Sequence, residues 1–159
     1  MIRVPMAVPQ ASGGDGEART QVRCLVVDDH AAVREGVKMI LTRDREISVI
    51  GESSSGDGAV EMAEKRRPDV IVMDVRMPRL NGYQFVRAMR GDPETAEIPI
   101  IILSALVQDH EQLAGFLSGA DVYLLKPVQI IDLMAAIDTA IKRTAEQRAE
   151  QLRLLADEL

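Results

Sequence analysis

The chain is poor in the residues that build covalently or metal-clamped frameworks. One cysteine, Cys24, stands among 159 residues, so no internal disulfide can form. Cys24 lies within an apolar run, which reads as a small buried side chain in a reduced, cytoplasmic setting. Two histidines and that cysteine make no zinc-ligand cluster. No apolar run is long enough to span a bilayer, so no membrane association is expected. Pro5 and Pro9 interrupt the N-terminal stretch, which argues against a secretory leader. Positive charge is also in deficit. The net charge is −6 and the basic residues are scattered, which argues against direct nucleic-acid binding by this chain.

What is present is an ordinary globular balance, 47% apolar and 28% charged, in a length that supports one full core. Residues 1–20, with two prolines, three glycines and no periodicity, read as a flexible tail. From residue 22 onward, short apolar runs alternate with amphipathic segments. "VRCLVVDD" is a strand, followed by a helix with Val33, Val37, Ile40 and Leu41 on one face. "ISVIGES" is a second strand, and the helix after it carries Ala59, Met62 and Ala63 and stops at Pro68. "DVIVMD" is a third, with Phe85, Val86 and Met89 on the next helix. "IPIIILSA" and "DVYLLKP" are the fourth and fifth strands, with a helix expected over 109–120 between them. Met39, Met62, Met89 and Met134 read as core filler.

Near-continuous Val/Ile/Leu strands separated by helices call for a parallel sheet covered on both faces. Right-handed crossovers make it doubly wound, and ligands of such sheets sit beyond the carboxyl ends of the strands. Four polar groups fall at those ends: Asp28-Asp29, Asp74, Ser104 and Lys126. Gathered carboxylates repel. Two unit charges about 4 Å apart interact by roughly 4 kcal/mol at an effective dielectric near 20. Lys126 cannot balance three of them, and a hard divalent cation with oxygen ligands fits the remainder. A carboxylate beside magnesium is a plausible nucleophile towards phosphorus, with Lys126 and the Ser104 hydroxyl placed to meet phosphoryl oxygens.

Each group has a plainer reading. The two acids could cap the first helix, Asp74 could open a turn, and Lys126 could be a surface lysine. Joint placement on one sheet edge is what favours chemistry. The glycine- and serine-rich stretch 51–58 lacks the lysine and spacing of a phosphate loop.

The blocks "CLVVDDH", "DVIVMDVRMPRLNG", "IIILSA" and "YLLKPV" resemble the signature blocks of bacterial response-regulator receiver domains, over roughly residues 22–142. The gaps of thirty residues from Asp74 to Ser104 and twenty-two from Ser104 to Lys126 also match that family. The resemblance implies five parallel strands in the order 2-1-3-4-5 with five helices, the last extended. It implies that Asp74 accepts a phosphoryl group from a histidine kinase or a histidine phosphotransfer protein. It implies that magnesium is held by Asp29, Asp74 and the Arg76 backbone carbonyl, with Asp28 acting through water. Ser104 matches the switch hydroxyl, Tyr123 the rotating aromatic, Lys126 the phosphate-binding lysine, and Lys126-Pro127 a cis peptide. Arg76 and Leu106 fall where relatives tune water access to the phosphoryl group. The output is then a protein target meeting the surface of the helix before the fifth strand, that strand, and the helix after it. The sequence departs from the common pattern in carrying Ser104 for threonine and Val128 for an aromatic.

Two other functions compete. A phosphohydrolase with an Asp nucleophile needs a second acid two residues on, where this chain has Arg76. A structural adaptor has no need of the intact set Asp28, Asp29, Asp74, Ser104 and Lys126.

The final helix, from about Gln129, carries Ile130, Leu133, Met134, Ile137 and Ile141 as a core stripe. Beyond it, over 143–159, Ala145, Leu152, Leu155 and Leu159 continue a four-three spacing that Arg148 interrupts. A parallel homodimer stalk and a linker to an output domain are equal readings of this extension, ahead of a plain exposed helix that frays at its end. The opening "VVDDHAAVREG" looks like regulators that carry a DNA-binding helix-turn-helix, for which the remaining chain has no room.

Overall fold

The structure, a computed structural model, describes residues 21–77, 79–105 and 119–157. Five strands alternate with helices along the chain. They are β1 (Val22–Val27), α1 (Ala31–Thr42), β2 (Ile47–Ser53), α2 (Gly56–Arg66), β3 (Val70–Asp74), α3 (Gly82–Gly91), β4 (Ile100–Ser104), β5 (Val122–Leu125), α4 (Ile130–Lys142) and α5 (Ala145–Asp157). All strand pairs are parallel, in the order β2-β1-β3-β4-β5 expected from the sequence.

The central strands β3 (VIVMD) and β4 (IIILS) are buried at every position, as a sheet covered on both faces requires. Strand periodicity divides their side chains between two cores. Val70 and Val72 join Cys24, Val26, Val37, Leu41, Leu133 and Ile137 on one face. Ile71 and Met73 join Leu25, Val27, Ala59, Ala63, Phe85, Val86 and Met89 on the other. The edge strand β5 is only partly covered.

Local chemistry sets where the helices begin. Asn81 and Gln84 form a reciprocal capping box at α3: Gln84 N–H donates to Asn81 Oδ1 at 3.0 Å and Asn81 N–H donates to Gln84 Oε1 at 2.9 Å. Ser55 caps α2 by accepting from Gly58 N–H at 3.1 Å. The loop after β3 turns back tightly enough that Gly82 N–H donates to Val75 O at 2.9 Å. A Cβ at Gly82 would meet Val75 Cα at 2.8 Å, so no side chain fits there.

Three expectations change. Met39 is 63% exposed rather than core, because it lies about 200° round α1 from the buried Val37. Ile130 is likewise exposed, at the start of α4, while Leu133, Met134 and Ile137 are buried. The single extended last helix is two helices. Arg143 leaves the helical region (φ −75°, ψ 133°), and Thr144 starts a new helix with its own capping box. Gln147 N–H donates to Thr144 Oγ1 at 3.1 Å, and Thr144 N–H donates to Gln147 Oε1 at 3.0 Å. Thr-x-x-Gln is a helix-start signature, and here it outweighs the apolar spacing that runs across it. The expected helix over 109–120 falls mostly outside the described residues, as do the tail 1–20, Pro78, Leu106 and Leu159.

Candidate phosphoacceptor site

The parallel register sets the strand ends side by side. Asp74 is paired with Leu103, one residue before Ser104, and Ser104 is paired with Leu125, one residue before Lys126. The Lys126 ammonium lies 3.0 Å from Asp74 Oδ1 and 3.3 Å from Asp28 Oδ2, although the three residues are far apart in sequence. Asp28 and Asp74 are 2% and 5% exposed, and Ser104 is fully buried. The Lys126–Pro127 peptide bond is cis.

Asp28 does two jobs. Its backbone N–H donates to Ser53 O at 3.0 Å and its carbonyl accepts from Arg34 Nη1 at 2.7 Å, which fixes the end of β1 against β2 and α1. Its Oδ1 accepts from His30 N–H at 2.9 Å. The residue preceding α1 is His30, so neither acid is the helix cap that the plainer reading supposed.

Electrostatically the pocket is under-neutralised. Burial pushes the Asp74 carboxyl above the usual carboxylate range, and the Asp28 charge adds to that. The Lys126 hydrogen bond and charge and the Arg76 backbone N–H oppose the rise without overcoming it. Oxygens of Asp28, Asp29 and Asp74, with a ring nitrogen of His30, all lie within 4.8 Å of one another. Asp29 Oδ1 is buried and, among the described residues, takes no hydrogen bond, although His30 Nδ1 lies 2.9 Å away. An orphaned carboxylate oxygen beside two more carboxylates is what a small oxygen-ligated cation would satisfy, so the donor set fits magnesium.

His30 is absent from the set of site residues named from the sequence. It is 68% exposed, yet its nitrogen borders the acids. Its position directly after the acid pair was the available signal. Arg76 is exposed, with its N–H turned to the Asp74 carboxylate. Tyr123, on β5, packs partly buried against the α2/α3-side core, and Val128 packs against the other.

A doubly wound parallel sheet with an acidic pocket and a lysine at the carboxyl ends of its strands defines a flavodoxin-like signalling domain. The response regulator receiver domain model matches residues 24–138, and the chain belongs to that family. It is 34% identical over 135 residues to the transcriptional regulatory protein YdfI of Bacillus subtilis, covering 85% of this chain and 62% of YdfI. It is 38% identical over 143 residues to the response regulator MprA of Mycobacterium tuberculosis, covering 87% of this chain and 59% of MprA. The chain thus spans about six-tenths of the length of these curated relatives. Among solved structures, the response regulator domain of Thermotoga maritima CheB superposes with a TM-score of 0.71 at 29% identity, covering 78% of this chain and 98% of that one. Among the described residues, no helix is long and apolar enough to cross a membrane.

Proposed function

We propose that residues 21–142 form the phosphoacceptor of a two-component pathway, with Asp74 taking a phosphoryl group from the histidine of a sensor kinase or a phosphotransfer protein. The observation that carries this reading is the bridging position of Lys126, 3.0 Å from Asp74 and 3.3 Å from Asp28. A lysine so placed lies within reach of phosphoryl oxygens on Asp74 as well as of the carboxylates.

In the transfer, an Asp74 carboxylate oxygen attacks phosphorus, a P–O bond forms, and the P–N bond to the donor imidazole breaks. The freed imidazole nitrogen then takes up a proton. Asp29, Asp74 and the Arg76 carbonyl would hold magnesium directly, and Asp28 through water. Magnesium, when bound, neutralises charge on the attacking and transferred oxygens. Lys126 pairs with a phosphoryl oxygen as a point charge, and the Ser104 hydroxyl donates to another. Ser104 ends β4, the strand paired with that of Asp74, and Lys126 follows β5 beyond it, so the parallel register brings both to the acceptor's edge.

Phosphorylation adds charge and strong acceptors at the end of β3. Ser104 moving towards them lets Tyr123 turn inward. A protein target then reads the changed surface of β5, α4 and the segment preceding β5. The chain acts as a signalling domain whose only chemistry is its own phosphorylation and dephosphorylation. Arg76 and Leu106 set the lifetime of the phosphoryl group by controlling water access. The setting is the cytoplasm, consistent with a single buried cysteine.

The test is incubation with magnesium and a small phosphodonor, followed by intact-mass measurement. A single adduct of one phosphoryl group, absent in Asp74→Asn, is expected. An adduct that persists in Asp74→Asn, or none in either chain, overturns the reading. Decay of the adduct in Arg76→Ala and Leu106→Ala tests the tuning roles, and unchanged rates in both refute them.

A further inference from the structure

The opposite end of the sheet carries a second polar cluster, around Asp121. Its side chain is fully buried and accepts from three donors. These are Arg90 Nη2 at 3.0 Å, Arg148 Nε at 2.7 Å and Ile100 N–H at 2.8 Å. The Asp121 carbonyl accepts from Arg143 Nη1 at 2.5 Å. Arg90 comes from the end of α3, where it also donates to Gly119 O at 3.0 Å. Arg143 and Arg148 come from the α4–α5 junction and from α5. Asp121, through its carboxylate and its carbonyl, therefore ties three segments to the base of β4 and β5.

We propose that α5 is a releasable arm, docked on the receiver through Arg148 and Asp121, and that phosphorylation of Asp74, which meets Lys126 at the other end of β5, loosens it. The coupling rests on the functional reading above.

Three observations carry the inference. The first is that, among the described side chains, the arm has one buried anchor. Arg148 is the buried side chain of α5 among those described, and Glu146, Gln147, Ala149, Glu150, Arg153, Leu154, Ala156 and Asp157 are exposed. The second is that the anchor is poorly balanced. Arg148 Nη2 is buried and, among the described residues, donates no hydrogen bond. Burial, with Arg148 close by, lowers the Arg90 guanidinium to about 10 against its usual 12.5, a sign that positive charge is crowded here. A buried ion pair with an unsatisfied donor contributes little net stability, so it can open without unfolding the domain.

The third is shared mechanics. Asp121 N–H donates to Ile100 O at 2.8 Å at the base of the β4–β5 pair, and Lys126 N–H donates to Ser104 O at 2.7 Å at the top. From Asp121 to Lys126 the strand spans about 16 Å. β5 is an edge strand with partly exposed side chains, so it is held on one side only. Drawing Lys126 further out, towards a phosphoryl group, pulls Asp121 away from Arg148.

Hydrogen exchange of the full chain tests this, with adduct formation confirmed by mass. Without phosphodonor, Arg148→Met is expected to speed exchange over residues 145–157 by about tenfold, while Val70–Asp74 stays protected and shows the fold intact. In the wild type, magnesium with acetyl phosphate is expected to speed exchange in the same segment. Asp74→Asn should show no such response, and phosphorylated Arg148→Met no further gain. Unchanged exchange in Arg148→Met overturns the docking. A confirmed adduct with unchanged or slower exchange over 145–157 overturns the coupling alone. Failure to form any adduct overturns the coupling together with the functional reading. Protection over 145–157 that rises with protein concentration would assign the helix to a dimer stalk and overturn the arm.

Discussion

The ammonium group of Lys126 lies 3.0 Å from the Asp74 carboxylate, across two parallel strand neighbours. It is the cation that lets two buried acids, Asp28 and Asp74, share one pocket. Lys126→Met should therefore destabilise the metal-free protein, by about 1–3 kcal/mol. That is less than a fully buried pair would cost, because the lysine side chain is 22% exposed. Urea unfolding in the presence of a chelator measures it, and an unchanged midpoint would count against the electrostatic account.

Asp74→Asn should act in the opposite direction. Burial raises the Asp74 carboxyl above its usual range, so the folded chain holds that proton more tightly than the unfolded chain does. The stabilising contribution is full at low pH and is lost as pH rises through the folded-state value. At neutral pH the ionised Asp74 is thus a cost that asparagine removes. The variant is expected to be the more stable chain at pH 7 without metal. Its advantage should shrink as pH falls towards the ordinary carboxylate range, about 4. Paired unfolding curves across that range provide the check.

Gly82→Ala tests the close approach of the β3–α3 loop. The added methyl would sit 2.8 Å from Val75 Cα, a main-chain atom that cannot swing aside. A loss of about 1–3 kcal/mol is expected, read as a lower thermal midpoint. Because the loop follows Asp74 directly, weaker magnesium affinity should accompany it.

Cys24 should be inert in the native protein. It is fully buried, and burial pushes its thiol up to about 12, so almost no thiolate exists at pH 8. Iodoacetamide at that pH should label the chain only after denaturant is added, as followed by mass. Labelling of the native chain would show that the first core opens readily.

Much of the architecture is legible in the amino-acid sequence. The run Val70–Met73 is apolar at every position, and such a run makes sense only between two covered faces. Asp28, Asp29, Asp74, Ser104 and Lys126 each stand at the end of such a run, so a parallel sheet brings them to one edge. The α3 capping box rests on Asn81 and Gln84 and the tight turn on Gly82, all close neighbours in the sequence. Met39 was misread because its type suggested a core, whereas its angle round α1 puts it outside.

By itself the amino-acid order determined the period of each segment, the succession of strands and helices, and which polar groups close the strands, because these depend on neighbours along the chain. Only the folded molecule decided that His30 borders the acids and that Arg148 turns back to Asp121, twenty-seven residues earlier. Those outcomes depend on which charges find partners once the sheet has formed. A guanidinium on an isolated helix reads as a surface residue until a buried carboxylate from a distant strand claims it.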